Sequence, residues 1–224
     1  MRDILTVFLK DVSVELRGGG IVPSVAVFAV VLASVMRLSG VMPPGPASSL
    51  AAPAMLWVCL LFAATVAFER SFEIERKAEA VRVILMSPAG RGDVFIGKTL
   101  ANLALLLAVE VFFIPAFSFF FSLGYAVLSA RFLLAVFTAT VGIAAVGTLL
   151  SALCSRTRGG GVLLPVLMFP LLIPVLTSAT LAVSAALGSG IARDFSGHIK
   201  VLVSFDLAFV AAGTLVYGYI IEEI

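Results

Sequence analysis

The segment Gly92-Asp93-Val94-Phe95-Ile96-Gly97-Lys98-Thr99 fits the phosphate-loop pattern GxxxxGK[ST]. In that chemistry, successive backbone N–H groups wrap the phosphates of a nucleotide and the lysine reaches the outer ones. Here the wrapping positions hold Val94, Phe95 and Ile96, which are too bulky for it. The chain that follows, TLANLALLLAVEVFFIPAF, runs on as a predominantly apolar span and does not read as a soluble helix. No second, acidic strand is available to hold magnesium. Lys98 is therefore read as the cytoplasmic anchor of a membrane span. Glu110 and Asp206 are the next candidates, because each lies inside an apolar run, where ionisable groups are costly and usually functional. Neither has a basic partner at the same depth. A proton relay and hydrogen bonding between helices are both open, and the second asks less of two isolated carboxyl groups. His198, the single histidine, stands in the polar segment ARDFSGHIK and reads as solvated, without the companions a metal or haem site needs. Cys59 and Cys154 lie in apolar stretches with no CxxC or zinc spacing and read as small core residues. No nucleophile–base pair or paired carboxylate exists from which to build a catalytic site.

What positions these residues is a membrane. Of 224 residues, 61% are hydrophobic and 12% charged, about half the charged share of a soluble domain, ~25%. Mean hydropathy is +1.17. Six apolar stretches approach or exceed the ~20 residues that a spanning helix needs: Ile21–Leu38, Leu50–Phe68, Thr99–Leu123, Phe132–Cys154, Val162–Leu187 and Val201–Ile221. They are continuously apolar with no alternation, so helices rather than barrel strands satisfy their backbone. Eleven of the fifteen basic residues fall in the N-terminal segment and the second and fourth loops. Arg37, Arg131, Arg193 and Lys200 fall on the other side. Positive charge marks the cytoplasm, so both termini are expected there. Asp3, Lys10, Asp11 and Glu15 interrupt any cleavable signal, which leaves the first span as the insertion signal. With a net charge of only +2 and no basic stripe, nothing points to nucleic acid.

Two segments outside the spans carry helical periodicity. In residues 1–20, Leu5, Phe8, Leu9, Val12 and Leu16 share a face opposite Thr6, Lys10, Ser13 and Arg17. That pattern suits a helix lying in the interface plane, either as a generic anchor or as an elbow packed beside the spans. Gly18, Gly19 and Gly20 then allow a sharp turn into the first span. In the loop 69–98, Ile74, Ala78, Val81 and Leu85 repeat at helical spacing, with Arg82 beside them, and Ser87-Pro88-Ala89-Gly90 ends the run. A separate amphipathic helix parallel to the membrane is expected. Its flanks mix both charge signs, which suits a protein groove better than anionic headgroups. The fold class is thus an all-α integral membrane protein, one transmembrane domain over residues 1–224.

The fifth span is the least regular. Arg158 to Leu176 reads RGGGVLLPVLMFPLLIPVL. Pro170 and Pro174 are one turn apart and free the carbonyls of Val166 and Pro170. Those groups need protein or water, so this face is expected to look into the bundle, on a kinked helix followed by a re-entrant turn through 178–190.

This segment resembles the signature of the haem exporter protein B (CcmB) family, permeases of cytochrome c maturation, through Arg158, Gly159, Gly160, Leu163, Leu164, Pro170, Leu171, Pro174 and Leu176. FERSFEIE, LMSP and GK in the loop, Trp57 in the second span and the overall length fit as well. Lys77-Ala78-Glu79 stands where the family often has a glycine, and Gly161 extends the glycine pair. The resemblance implies an export-type (ABC-2-like) permease in the bacterial inner membrane. Its loop helix would couple to a soluble ABC ATPase through Ile74, Ala78, Val81, Arg82 and Leu85. It also implies a second permease copy, further cytochrome c maturation membrane subunits and a haem chaperone as partners. No cofactor would be bound directly, ATP would be held by the partner, and haem would be the substrate if one crosses. Release of the haem-loaded chaperone is favoured over haem export, because no span offers a pair of axial ligands. The alternatives are a permease for a lipid, polysaccharide or drug, a non-transporting scaffold, and a proton-coupled carrier.

Overall fold

The structure, a computed structural model, describes residues 2–18, 20–40, 48–77, 90–154, 160–188 and 194–222. Among these residues the regular elements are all helices: α1 (Arg2–Gly18), α2 (Ile21–Leu38), α3 (Ser48–Lys77), α4 (Arg91–Phe121), α5 (Ala130–Cys154), α6 (Gly160–Ala186) and α7 (Phe195–Glu222), with a 3-10 turn at Gly124–Leu128. Six of them, α2 to α7, are long and apolar enough to cross a membrane. The chain is an all-α, multi-pass membrane protein, and α2 coincides with its expected span.

Helix α5 is the hub. It touches α3, α4, α6 and α7, and most of its residues are buried. Its small side chains, among them Ala135, Ala139, Gly142, Ala144 and Gly147, let neighbours approach closely, which is how helices associate where lipid is as apolar as leucine. By contrast α2 buries only Ile21, Val25, Ala26, Ala29 and Ala33, one stripe set against α3 and α4. At its C-terminal end the Arg37 Nε donates to the Phe120 carbonyl (3.0 Å), tying α2 to the end of α4.

Helix α1 is an elbow packed on the bundle rather than a free anchor. Leu5 and Leu9 are exposed, as a lipid-facing stripe requires. Ile4, Val7 and Asp11 turn toward α4, the helix that α1 packs against. A β-carbon on Gly97 would stand 2.9 Å from Val7 Cβ and 3.0 Å from the Ile4 carbonyl oxygen, so glycine sets the closeness of this contact.

Three expectations are corrected. The loop helix is not separate at its start: α3 runs unbroken from Ser48 to Lys77. FERSFEIERK holds no glycine or proline, so nothing stops the helix at the end of the apolar span. The re-entrant turn is also absent among the described residues. Helix α6 continues to Ala186 and closes with Leu187 N–H on the Val183 carbonyl and Gly188 N–H on that of Ala185. Gly188, at φ 71°, supplies the left-handed residue that such an ending needs. Finally, α6 passes through Pro165, Pro170 and Pro174 as one helix, and Pro170 and Pro174 are exposed. So are Val166 (61%) and Ile173 (56%). The proline face looks away from its own bundle. The buried side is the opposite one, Leu164, Met168, Leu172, Val175 and Ala179, whose unbroken aliphatic spacing packs against α3 and α5 better than a stripe broken by rings.

Candidate functional site: a charged loop and a polar seam

Gly92–Thr99 lies wholly within α4. From Val94 onward its N–H groups are committed to the helix ladder and do not wrap a phosphate. Lys98 corrects the sequence reading in another way. It is 3% exposed and does not reach for headgroups. Its Nζ stands 3.8 Å from Asp11 Oδ2, and Asp11 also pairs with the exposed Lys10 (2.9 Å). The lysine of the false phosphate loop thus clips the elbow helix to α4.

Of the loop stripe, Ile74 lies on the extension of α3 beyond the apolar span. Ala78, Val81, Arg82 and Leu85 lie outside the described residues, as do Arg158 and Gly159. Gly160 is the first residue of α6.

The membrane-depth polar groups gather along the antiparallel contact of α4 and α5. Asn102 Nδ2 donates to Thr148 Oγ1 (2.8 Å), and the Thr148 hydroxyl donates to the Ala144 carbonyl (2.7 Å). Two turns further along, the Thr140 hydroxyl has two acceptors in reach, Glu110 Oε1 (2.5 Å) and the Val136 carbonyl (2.9 Å). Residues 102 with 148 and 110 with 140 keep one register, and 99 with 151 continues it. Thr99 and Ser151 are buried there too, and among the described residues their hydroxyls have no hydrogen-bond partner. The sequence reading singled out Glu110 and missed Asn102, Thr140 and Thr148. Their signal was a polar residue in each of two successive spans at mirrored distances from the connecting turn.

Asp206 is on the other flank of the same helix. It is 8% exposed, and its Oδ1 is set so tightly on α5 that a β-carbon on Gly142 would lie 2.6 Å away. No hydrogen-bond partner of Oδ1 is found among the described residues. Thr140 and Gly142 are two residues apart, so Glu110 and Asp206 reach α5 at nearly one level from opposite sides. The helix separates them.

The remaining candidates are structural. Cys59 and Cys154 are buried, with no disulfide. His198 lies not in a loop but in the first turn of α7. Asp194 caps that turn, accepting from the Gly197 N–H (2.9 Å) and the Ser196 hydroxyl (3.0 Å). Those hydrogen bonds, with the charges of His198 and Lys200, hold its carboxyl below the usual range. Among the described residues no group of three His, Cys, Asp or Glu could hold a metal ion.

Two comparisons bear on what these parts belong to. No curated protein matches the chain. The family described as CcmB protein matches residues 2–222, from the elbow helix to the end of α7. That span covers nearly all of the chain, and it makes the polypeptide a member of the CcmB family, a membrane subunit of the haem exporter ABC system.

Proposed function

We propose that this chain is the permease subunit through which ATP hydrolysis on a partner protein drives cytochrome c maturation. It works as one transmembrane domain in the bacterial inner membrane, with both termini in the cytoplasm. A soluble ABC ATPase docks on the loop 69–98 through Ile74, Ala78, Val81, Arg82 and Leu85. The observation that carries this reading is the length of α3. It runs nine residues past Phe68, the last residue of the expected apolar span, and that extension bears Glu69, Arg70, Glu73, Glu75, Arg76 and Lys77. The helix carries this charged segment on from the apolar span to Lys77 without a break. The absence of a nucleotide-binding loop at Gly92–Thr99 fits an ATPase carried on a separate polypeptide.

The output of the cycle is release of the haem-loaded periplasmic chaperone, with haem as the cargo if one crosses. Other cytochrome c maturation membrane subunits and the chaperone complete the assembly. A second copy of the chain covers the proline face of α6. Val166 and Pro170 carry carbonyls that prolines have freed, and hydrocarbon cannot satisfy them.

Val81→Asp with Leu85→Asp tests the docking reading. The double variant is expected to stay in the membrane and lose the ATPase from purified complexes. Undiminished recruitment would remove the claim.

A further inference from the structure

Phe68 stands just before the loop 69–98 and Phe95 near its end, and each is seated in a glycine of a different helix. Phe68 ends the apolar part of α3 and is 1% exposed; its ring lies on Gly147 of α5 so closely that any β-carbon there would overlap Cδ2, Cε2 and Cζ. Phe95, in the second turn of α4, is 0% exposed, and its ring occupies the place of a β-carbon on Gly213 of α7. The Phe95 ring also packs on Tyr217, with centroids 5.4 Å apart. Around Phe95 a second small core gathers Val94, Leu149, Ala152 and Tyr217, with Val7 of α1 against it. It is distinct from the main core that holds Phe68.

A glycine contact of this kind is stiff. The ring meets backbone rather than a flexible side chain, so it cannot yield by changing a neighbour's rotamer, and interiors packed at this density transmit displacement. The entrance of the loop is thereby keyed to α5, which touches four other spans. Its exit is keyed to α7 and, through the Lys98–Asp11 pair, to α1.

We infer that Phe68 in Gly147 and Phe95 in Gly213 are positioning joints that carry movement of the loop into α5 and α7. This rests on the loop being the ATPase dock, and it adds which spans receive the push. Loop motion reaches the bundle at two separate helices, so tilting separates α5 from α7 rather than rocking α3 and α4 alone. A packing role without transmission predicts a different pattern in variants.

The test uses the whole complex in its native membrane. Phe68→Ala and Phe95→Ala empty the joints, Gly147→Ala and Gly213→Ala overfill them, and Phe68→Leu with Gly147→Ala restores the fit with a smaller side chain. Three readouts are taken: ATPase recruitment, ATP hydrolysis by the complex, and yield of mature cytochrome c. The emptied and overfilled variants are expected to recruit the ATPase and hydrolyse ATP, while yield falls by about tenfold, within the range that site-to-site coupling spans. The refitted pair is expected to recover most of that yield. Emptied joints that leave yield at the wild-type level overturn the inference, and so does a refitted pair no better than Gly147→Ala alone. Should the wild-type chain itself fail to recruit an ATPase, the docking reading fails, which is a distinguishable result.

Discussion

The seam between α4 and α5 and the outer face of α6 treat backbone and polar groups in opposite ways. Along the seam, polar side chains sit inside the bundle, and the Asn102 amide and the Thr148 hydroxyl each donate to an acceptor there. On α6, two prolines remove donors from the helix, and the consequence is turned outward with Val166 and Ile173 exposed beside it. A membrane protein folding alone would put its irregular backbone inside. The difference is that α4 and α5 cover each other's polar groups, whereas the chain leaves the proline face of α6 uncovered.

The sharpest way to break that contrast is a charge on the proline face. Ile173→Arg is expected to leave the chain folded and to abolish pairing of copies in cross-linking, because a guanidinium at span depth costs about 2.5–3.5 kcal/mol. Unchanged pairing would show that this face meets lipid only. A smaller effect is expected inside the seam. Thr148→Val leaves the buried Asn102 amide without its acceptor and should lower resistance to denaturing detergent by about 1–3 kcal/mol. At the second clamp, Glu110→Ala should cost about 0.6–2 kcal/mol. Glu110→Gln should be near neutral, because its amide can donate to Thr140 as Asn102 donates to Thr148. A proton carrier would lose its function in Glu110→Gln, so normal cytochrome c yield in that variant separates the two readings.

The smallest effect belongs to neither region and calibrates both. The Asp194 carboxyl is held low by its capping hydrogen bonds. Its contribution is therefore present above the usual carboxylate range and fades as pH falls through the depressed value. Asp194→Ala should remove that acid dependence from the N-terminal end of α7, seen as lower amide protection factors there at neutral pH with no further loss of protection on acidification.

Much of this was legible in the sequence because lipid permits few solutions. Six apolar runs had to be helices, and α2 falls on its expected residues. Bulky residues at 94–96 were enough to dismiss the phosphate loop. What stayed hidden depended on partners across helices. Lys98 read as a headgroup anchor because Asp11 lies 87 residues away and only the packing of α1 on α4 brings them together. The Thr140 and Thr148 hydroxyls looked like ordinary span residues until the α4–α5 register paired them with Glu110 and Asn102. The rule that freed carbonyls need cover points the proline face inward, and the chain instead leaves Pro170 and Pro174 exposed because the unbroken aliphatic stripe on the other side packs better. The extension of α3 was missed because apolar length marks where a span ends and says nothing of where its helix ends.

The central claim is that the loop 69–98 is the seat of a separate ATPase, and a photo-cross-linking residue at position 81 tests it most directly. In intact cells, irradiation is expected to join the chain to one soluble ABC ATPase, with the yield of that adduct changing between nucleotide-depleted and ATP-replete membranes. Cross-links to lipid alone, or to no ATPase under either condition, would contradict it.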